Sequence, residues 1–173
     1  MVINFVQHNV NRKKEAHFSV LENCLQKKID IVLLQEPYLP QINGYHIAIN
    51  HTAFYTIPPK ISPNLSKIEK RPRVITYIRK SAQIQFNPRY DICNDSDLQI
   101  IDILGIPEPF LIYNIYNEKE LGAENRLFTI DRLLLHQTMD KPTLLVGDFN
   151  LHHTWWNPST EPTRLHKSSN LVK

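Results

Sequence analysis

The stretch TLLVGDFN at residues 143–150 places the strongest constraint on how this chain folds. Its first half is an apolar run of the kind that forms a strand buried on both faces. Gly147 then carries no side chain, which allows another group to come close. Asp148 and Asn150 are two positions apart, so both can point to one side while Phe149 points into the protein. The stretch predicts a buried strand that ends in a polar site, although an Asp-Asn turn has the same composition.

The start of the chain predicts an α/β unit. Apolar strands are expected at 2–7 and 31–34, and between them the residues from 14 to 28 carry apolar side chains at spacings of three and four, typical of an amphipathic helix. Further strands are expected at 44–49, 53–57, 73–79, 82–86, 98–104 and 110–115, and a second helix at 123–139.

The segment from Pro58 to Pro72 is predicted to be an irregular loop, because it contains four prolines. Its Lys and Arg residues outnumber a single acid, Glu69. Charge runs of this kind usually face water, so a solvated loop is one interpretation. The other is a basic arm that rests on a phosphate backbone.

Length and composition indicate one soluble globular domain spanning 1–173, with 42% hydrophobic and 21% charged residues. No apolar run is long enough to span a bilayer, and we expect no membrane partner and no secretory signal. Cys24 and Cys93 are expected to be buried thiols in a reducing compartment. The net charge of +3 neither requires nor excludes a nucleic-acid partner.

Four predicted strands end in polar residues that could share one rim of the fold. If the strands lie in neighbouring sheets, these residues converge where α/β proteins tend to place their sites. Each of them also has an ordinary structural role open to it, in a turn, at a solvated strand end or as a hydrogen-bonded aromatic. The set consists of Asn9, Glu36, Tyr116 with Asn117, and Asp148 with Asn150.

This set suits phosphate-ester chemistry assisted by a hard cation. Mg²⁺ prefers oxygen ligands and needs only one or two carboxylates, so Glu36 with help from Asn9 is sufficient. Asp148 would then be free to orient or deprotonate a water molecule, while Asn150 holds the water or the phosphate. Tyr116 could donate a hydrogen bond to charge that develops on phosphorus.

Five motifs carry a resemblance to a known family, and they occur in order along most of the chain: QHNVNR at 7–12, LLQEPY at 33–38, PRVITYIRK at 72–80, NIYN at 114–117 and LLVGDFNLHHTWWNP at 144–158. Together they resemble the endonuclease/exonuclease/phosphatase family, and most closely the apurinic-type endonuclease domain of LINE-type (non-LTR) retrotransposons. The resemblance implies a four-layer α/β sandwich of two mixed sheets flanked by helices. It also implies Mg²⁺-dependent cleavage of a DNA strand, with Mn²⁺ able to replace Mg²⁺, and a nick that primes reverse transcription.

The resemblance also implies roles for individual residues. It matches Asn9 and Glu36 to the metal side, and it matches Asp148, Asn150 and Tyr116 to the catalytic set. We further expect Asn117, Arg73 and Trp155 to contact the substrate.

Family members continue beyond the WWNP segment to a second acid and a Ser-Asp-His, whereas this sequence ends at Lys173. We therefore expect a domain whose C-terminal part is missing, with reduced or no activity. Two alternatives stay open: a DNA-binding remnant without catalysis, using the basic loop and Trp155, and a phosphatase acting on a small substrate. The expected location is intracellular, and nuclear for an active element.

Overall fold

The computed structural model of the chain describes residues 2–43, 45–59, 71–117, 129–134 and 141–151. Its strands and helices follow each other as β1 (Phe5–Asn9), α1 (Lys14–Gln26), β2 (Ile31–Gln35), β3 (Gln41–Ile42), β4 (Tyr45–His46), β5 (Phe54–Ile57), β6 (Val74–Arg79), β7 (Gln85–Pro88), β8 (Leu98–Leu104), β9 (Phe110–Tyr116), α2 (Thr129–Leu134) and β10 (Thr143–Asp148).

The strands form two four-stranded mixed sheets and one small hairpin. The first sheet has the order β1-β2-β6-β5 and the second the order β10-β9-β8-β7, while β3 pairs with β4. In each sheet one pair is parallel, β1 with β2 and β9 with β10, and the other pairs are antiparallel. The parallel pairs run in register, with Asn9 opposite Gln35 and Asp148 opposite Tyr116. Each sheet therefore delivers the ends of two neighbouring strands to one edge.

Three apolar clusters show how the layers pack. Alternate residues of β2 point to opposite faces, so Ile31 and Leu33 enter the core between the sheets while Val32 and Leu34 pack under α1. This two-sided burial explains why β2 is apolar throughout. On the far side, Ile130 of α2 packs against the outer face of the second sheet. The layer order helix, sheet, sheet, helix confirms the predicted four-layer α/β sandwich.

A chain of buried polar side chains also crosses between the two sheets. Gln35 Nε2 of the first sheet donates to Asn114 Oδ1 of the second at 2.7 Å, and Asn114 Nδ2 donates to the Ile75 carbonyl oxygen at 3.1 Å. The Thr76 hydroxyl donates to Gln99 Oε1 at 2.6 Å, and Gln99 Nε2 donates to the Ile57 carbonyl oxygen. Because these four side chains are almost fully buried and bonded, they fix one register between the sheets.

His17 anchors α1 to the first sheet from a fully buried position. The backbone N–H of Tyr38 donates to His17 Nδ1 at 3.1 Å, which places the ring proton on Nε2. His17 Nε2 lies 3.0 Å from the Tyr77 hydroxyl oxygen, and that hydroxyl donates to the Ile49 carbonyl oxygen. The imidazole is thus bonded on both nitrogens as the neutral form.

Several expected boundaries are wrong. β1 begins at Phe5 and includes Asn9, so Asn9 ends the strand and does not follow it. The expected strand at 44–49 is reduced to Tyr45–His46, and the one at 82–86 is shifted to Gln85–Pro88 after a 3₁₀ turn. The prediction of a strand buried on both faces within 143–150 is also wrong: β10 is half-exposed, with Leu145 43% exposed, and forms an edge of the sheet in the part of the chain that the structure describes.

The two cysteines are placed as the sequence predicts. Cys24 and Cys93 are buried and free. Of the predicted helix at 123–139 only Thr129–Leu134 is described, and the basic loop lies mostly outside the described residues, which omit 60–70. None of the helices in the described ranges is long and apolar enough to cross a membrane.

Candidate active site

Asn9 joins the two sheets at the edge where their strands end. Its Nδ2 donates to Asp148 Oδ2 at 2.7 Å and lies 3.3 Å from Glu36 Oε2. Its Oδ1 accepts from the backbone N–H of Asn11 at 2.8 Å, which fixes the orientation of the amide. The amide therefore brings together two carboxylates from different sheets, as the convergence of strand ends predicted.

Glu36 owes its position to an unusual backbone conformation at the end of β2. Its φ of 45° lies in the left-handed region, which non-glycine residues adopt mainly where the surroundings require it. The Glu36 N–H donates to the Arg73 carbonyl oxygen at 2.8 Å, and the Glu36 carbonyl oxygen accepts from the Arg12 N–H at 2.7 Å. These two bonds turn the carboxylate out of the strand and towards Asn9.

Gly147 allows β10 to reach the site. A Cβ at this position would lie 1.9 Å from the Ile115 carbonyl oxygen, so no other residue fits without a backbone shift. Beyond it, Phe149 packs into the apolar cluster under α2 while Asp148 faces Asn9. Asn150, with a φ of 47°, directs its N–H to Asp148 Oδ1 at 3.3 Å. The close approach at Gly147 and the inward direction of Phe149 are confirmed, and the bond from the Asn150 N–H to Asp148 is also the one expected for an Asp-Asn turn.

Asn117 holds this turn in place from a buried position. Its Nδ2 donates to the Phe149 carbonyl oxygen at 2.8 Å, and its Oδ1 accepts from the Ile130 N–H at 3.2 Å. Its carbonyl oxygen accepts from Asn150 Nδ2 at 2.7 Å. The Asn117 side chain is almost fully buried and is bonded to protein atoms. It is therefore better suited to positioning Asn150 than to making the substrate contact expected from the sequence.

Tyr116 lies between the charged groups of the site. Burial raises the pKa of its hydroxyl, Glu36 and Asp148 raise it further, and Arg73 and Arg12 lower it. The Arg73 guanidinium lies over the Tyr116 ring, with Cζ 4.7 Å from the ring centroid. The raised pKa keeps the hydroxyl protonated at neutral pH.

Arg73 is held over Tyr116 by a buried carboxylate. Arg73 Nε and Nη2 each lie 2.6 Å from an oxygen of Asp97, whose side chain is fully buried. Arg132 of α2 also reaches Asp97, at 3.0 Å. Asp97 was not predicted from the sequence, in which it is an acid directly before the apolar-rich strand β8.

The sequence also gave no role to Arg12. Its Nη2 lies 3.1 Å from Glu36 Oε1, so both oxygens of Glu36 have N–H donors from the protein. Arg12 belongs to the motif QHNVNR, but its spacing does not reveal that two successive left-handed residues, Asn11 and Arg12, turn it back onto Glu36.

The structure thus brings seven of the eight predicted site residues to one edge, and Trp155 lies outside the described residues. The donors available near Glu36 are oxygens of carboxylates and amides, the type that Mg²⁺ prefers. Within the described ranges no group of three or more His, Cys, Asp or Glu side chains could hold a metal ion. The residues brought together are Asn9, Glu36, Arg73, Tyr116, Asn117, Asp148 and Asn150.

Comparison with known proteins supports the predicted resemblance. The family model for endonuclease-reverse transcriptase proteins matches residues 110–173, which include β9 and β10. No curated protein sequence matches the chain.

Solved structures show the same fold. The endonuclease domain of TRAS1, a telomere-specific non-LTR retrotransposon, is 15% identical with a TM-score of 0.71, and the match covers 98% of this chain and 70% of that chain. The AP endonuclease LMAP from Leishmania major is 13% identical with a TM-score of 0.51, covering 86% of this chain and 55% of that chain. An endonuclease/exonuclease/phosphatase family protein from Leptotrichia buccalis is 12% identical with a TM-score of 0.50, covering 87% and 67%.

Proposed function

We propose that this chain, which has the fold of the endonuclease/exonuclease/phosphatase proteins, is a single endonuclease domain that hydrolyses a phosphodiester bond of DNA with Mg²⁺ or Mn²⁺, at the reduced rate expected from its sequence. The observation that carries the proposal is the Asn9 bridge between Asp148, at 2.7 Å, and Glu36, at 3.3 Å. It joins the ends of strands from two sheets, and the likeness to a retrotransposon endonuclease domain supports it.

Glu36 and Asn9 would hold the cation. Glu36 supplies a carboxylate, and Asn9 would supply its amide oxygen after a flip of the amide, which in this structure turns Nδ2 towards Glu36 and Oδ1 towards the Asn11 N–H. When bound, the ion supplies positive charge that polarises a phosphate oxygen and balances the charge of the transition state. Since oxygen donors are all that this ion requires, the residues present fit it.

Asp148 would act as the general base. It is a carboxylate fixed by two hydrogen bonds, from Asn9 and from the backbone N–H of Asn150. A base held in this way can take a proton from the attacking water without first being reoriented. The Asn150 amide nitrogen is bonded to the Asn117 carbonyl, so Asn150 would orient the water or the phosphate through its remaining amide atoms.

Tyr116 would donate to the phosphate. Because its pKa is raised by burial and by the neighbouring carboxylates, the hydroxyl keeps its proton at neutral pH and is a donor, not a base. The Arg73 guanidinium above the ring adds positive charge beside the same position. A donor and a cation placed in advance stabilise negative charge as it develops.

The test is nicking of supercoiled plasmid DNA by the purified chain with Mg²⁺, with EDTA, and in the variants Asp148→Asn and Glu36→Gln. We expect metal-dependent single-strand nicks that fall by about a hundredfold or more in both variants, by analogy with the loss of other transition-state contacts. Glu22→Gln, which removes an exposed carboxylate from α1, is the matched control and should cut like the unchanged protein.

Plasmid that stays intact in Mg²⁺ and in Mn²⁺ would refute the proposal. Phosphate released from small esters while the plasmid stays intact would indicate the phosphatase alternative. DNA binding by the unchanged chain that falls steeply with salt and persists in Glu36→Gln, with no nicking by either protein, would indicate the non-catalytic alternative.

A further inference from the structure

Arg12 forms an ion pair with one oxygen of Glu36, the carboxylate proposed to bind the metal. Its Nη2 lies 3.1 Å from Glu36 Oε1, and its side chain is 51% exposed while that of Glu36 is 13% exposed. The other Glu36 oxygen faces Asn9 Nδ2. A cation that binds Glu36 must therefore compete with the Arg12 guanidinium.

The backbone of Arg12 stays in place whatever its side chain does. The Arg12 N–H donates to the Glu36 carbonyl oxygen at 2.7 Å, and the N–H of Lys13 donates to the Val10 carbonyl oxygen at 3.0 Å. Because these are backbone bonds, they do not depend on the ion pair. The guanidinium can leave Glu36 without leaving the site.

A second guanidinium lies close to this ion pair. Burial and Arg12 lower the pKa of Arg71, whereas Glu36 raises it. Arg71 Nη2 donates to the Pro37 carbonyl oxygen at 3.1 Å, and its buried Nε has no hydrogen-bond partner in the part of the chain that the structure describes. If a metal cation binds the Glu36 carboxylate, the positive charges of Arg12 and Arg71 are no longer balanced by it, and a second anion would stabilise them.

We propose that Arg12 is a metal-released ligand for a DNA backbone phosphate. Without a cation it pairs with Glu36; when a divalent cation binds Glu36, the Arg12 guanidinium is freed and binds, beside Arg71, a phosphate next to the scissile bond. The proposal rests on the proposed function, because it requires Glu36 to bind the cation.

This exchange couples the two ligands of the site. The cation exposes a phosphate-binding guanidinium, so it strengthens DNA binding, and by reciprocity DNA strengthens cation binding. An ion pair with a half-exposed arginine is weak, and its replacement accounts for an affinity change of about two- to fivefold. One phosphate contact changes the slope of log affinity against log salt by about 1.

The experiment measures Mn²⁺ binding by electron paramagnetic resonance and binding of a fluorescein-labelled DNA duplex by anisotropy. Every variant is made in an Asp148→Asn background so that the DNA is not cut. Arg12→Gln removes the guanidinium, and Arg12→Lys keeps the charge. Lys80→Gln is the matched control, because Lys80 follows the opposite end of β6 from the end that pairs with Gln35.

Without DNA, Arg12→Gln is expected to bind Mn²⁺ about two- to fivefold more tightly, because the competing cation is gone. Its salt slope for DNA should fall by about 1 when Mn²⁺ is present and should not change in EDTA. Arg12→Lys should keep most of the metal-induced gain in DNA affinity, and Lys80→Gln should keep all of it.

If Arg12→Gln changes the slope of log DNA affinity against log salt equally with and without Mn²⁺, or does not change it at all, the release of Arg12 is overturned. The proposed function is not affected by either result. Absence of Mn²⁺ binding to the unchanged site would overturn both. Circular dichroism of each variant separates these results from a failure to fold.

Discussion

Lowering the pH below 6.5 is expected to destabilise the fold through His17. Burial lowers the pKa of His17 from its ordinary value of 6.5 to about 4. Protonation of the folded state would put a second N–H on Nδ1, facing the N–H of Tyr38 that now donates to it. The unfolded chain therefore binds this proton more readily than the folded one, and stability falls as the pH drops from 6.5 towards 4.

The size of the effect follows from the difference between the two pKa values. A tenfold difference in proton affinity is about 1.4 kcal/mol, so the full contribution of His17 is about 3 kcal/mol, of which about 2.5 kcal/mol is lost by about pH 4.5. The contribution of His17 to the free energy of unfolding is fully present above pH 6.5, and it stops changing with pH near pH 4. For a domain of this size such a loss is a large share of the total stability.

The assay is urea unfolding of the unchanged protein and of His17→Gln across this pH range. Glutamine can accept from Tyr38 and donate to Tyr77, but it does not titrate. The free energies of unfolding of the two proteins should converge by about 2.5 kcal/mol between pH 7 and about pH 4.5, because carboxylates titrate equally in both. Parallel curves of stability against pH would refute a buried neutral imidazole.

Three further substitutions test the packing around the site. Gly147→Ala should cost about 3 kcal/mol or more in urea unfolding and abolish nicking, because its Cβ would lie 1.9 Å from the Ile115 carbonyl oxygen. Asn114→Leu should cost about 2 to 4 kcal/mol by the same measurement, since it leaves buried partners between the sheets unbonded. Arg73→Lys keeps the charge but loses the paired contact with Asp97, and plasmid nicking should fall by about tenfold.

Each of these substitutions has a matched control. Gly105→Ala, where the Cβ meets only the Gln85 side chain at 3.0 Å, should cost about 1 kcal/mol through its φ of 71°. Asn23→Leu on the exposed face of α1 should stay within about 0.5 kcal/mol. Arg89→Lys, whose partner Asp91 is exposed, should leave nicking unchanged. Equal losses in a variant and its control would contradict the corresponding explanation.

Local pattern was sufficient for most of the fold. β2 is apolar throughout because it is buried on both faces, and α1 has apolar residues at spacings of three and four because it is buried on one face. Both elements form where they were expected. The close approach at Gly147 and the inward direction of Phe149 were also predictable, whereas the left-handed φ of Asn150, beyond the end of β10, was not. The expected strand at 44–49 failed because short apolar runs do not specify a pairing partner.

Contacts made across the sandwich were not predictable. Gln35 and Asn114 are 79 positions apart, and nothing local in either strand indicates that their side chains are bonded. The Arg73 contact with Asp97 and the left-handed turn that returns Arg12 to Glu36 depend on the docking of separate elements. The resemblance supplied the site residues, whereas their supporting contacts required coordinates.

The Asn9 bridge has a consequence for synthesis, because it joins residues 139 positions apart. At about 5 to 20 residues per second, β1 emerges from the ribosome roughly 7 to 30 s before β10. In the earlier part of that interval, before β8 and β9 have been synthesised, Ile31 and Leu33 lack the second-sheet residues that cover them. The bridge between Asp148 and Glu36 therefore forms only after β10 has been synthesised, and until β8 and β9 follow, the apolar face of the first sheet is exposed to aggregation.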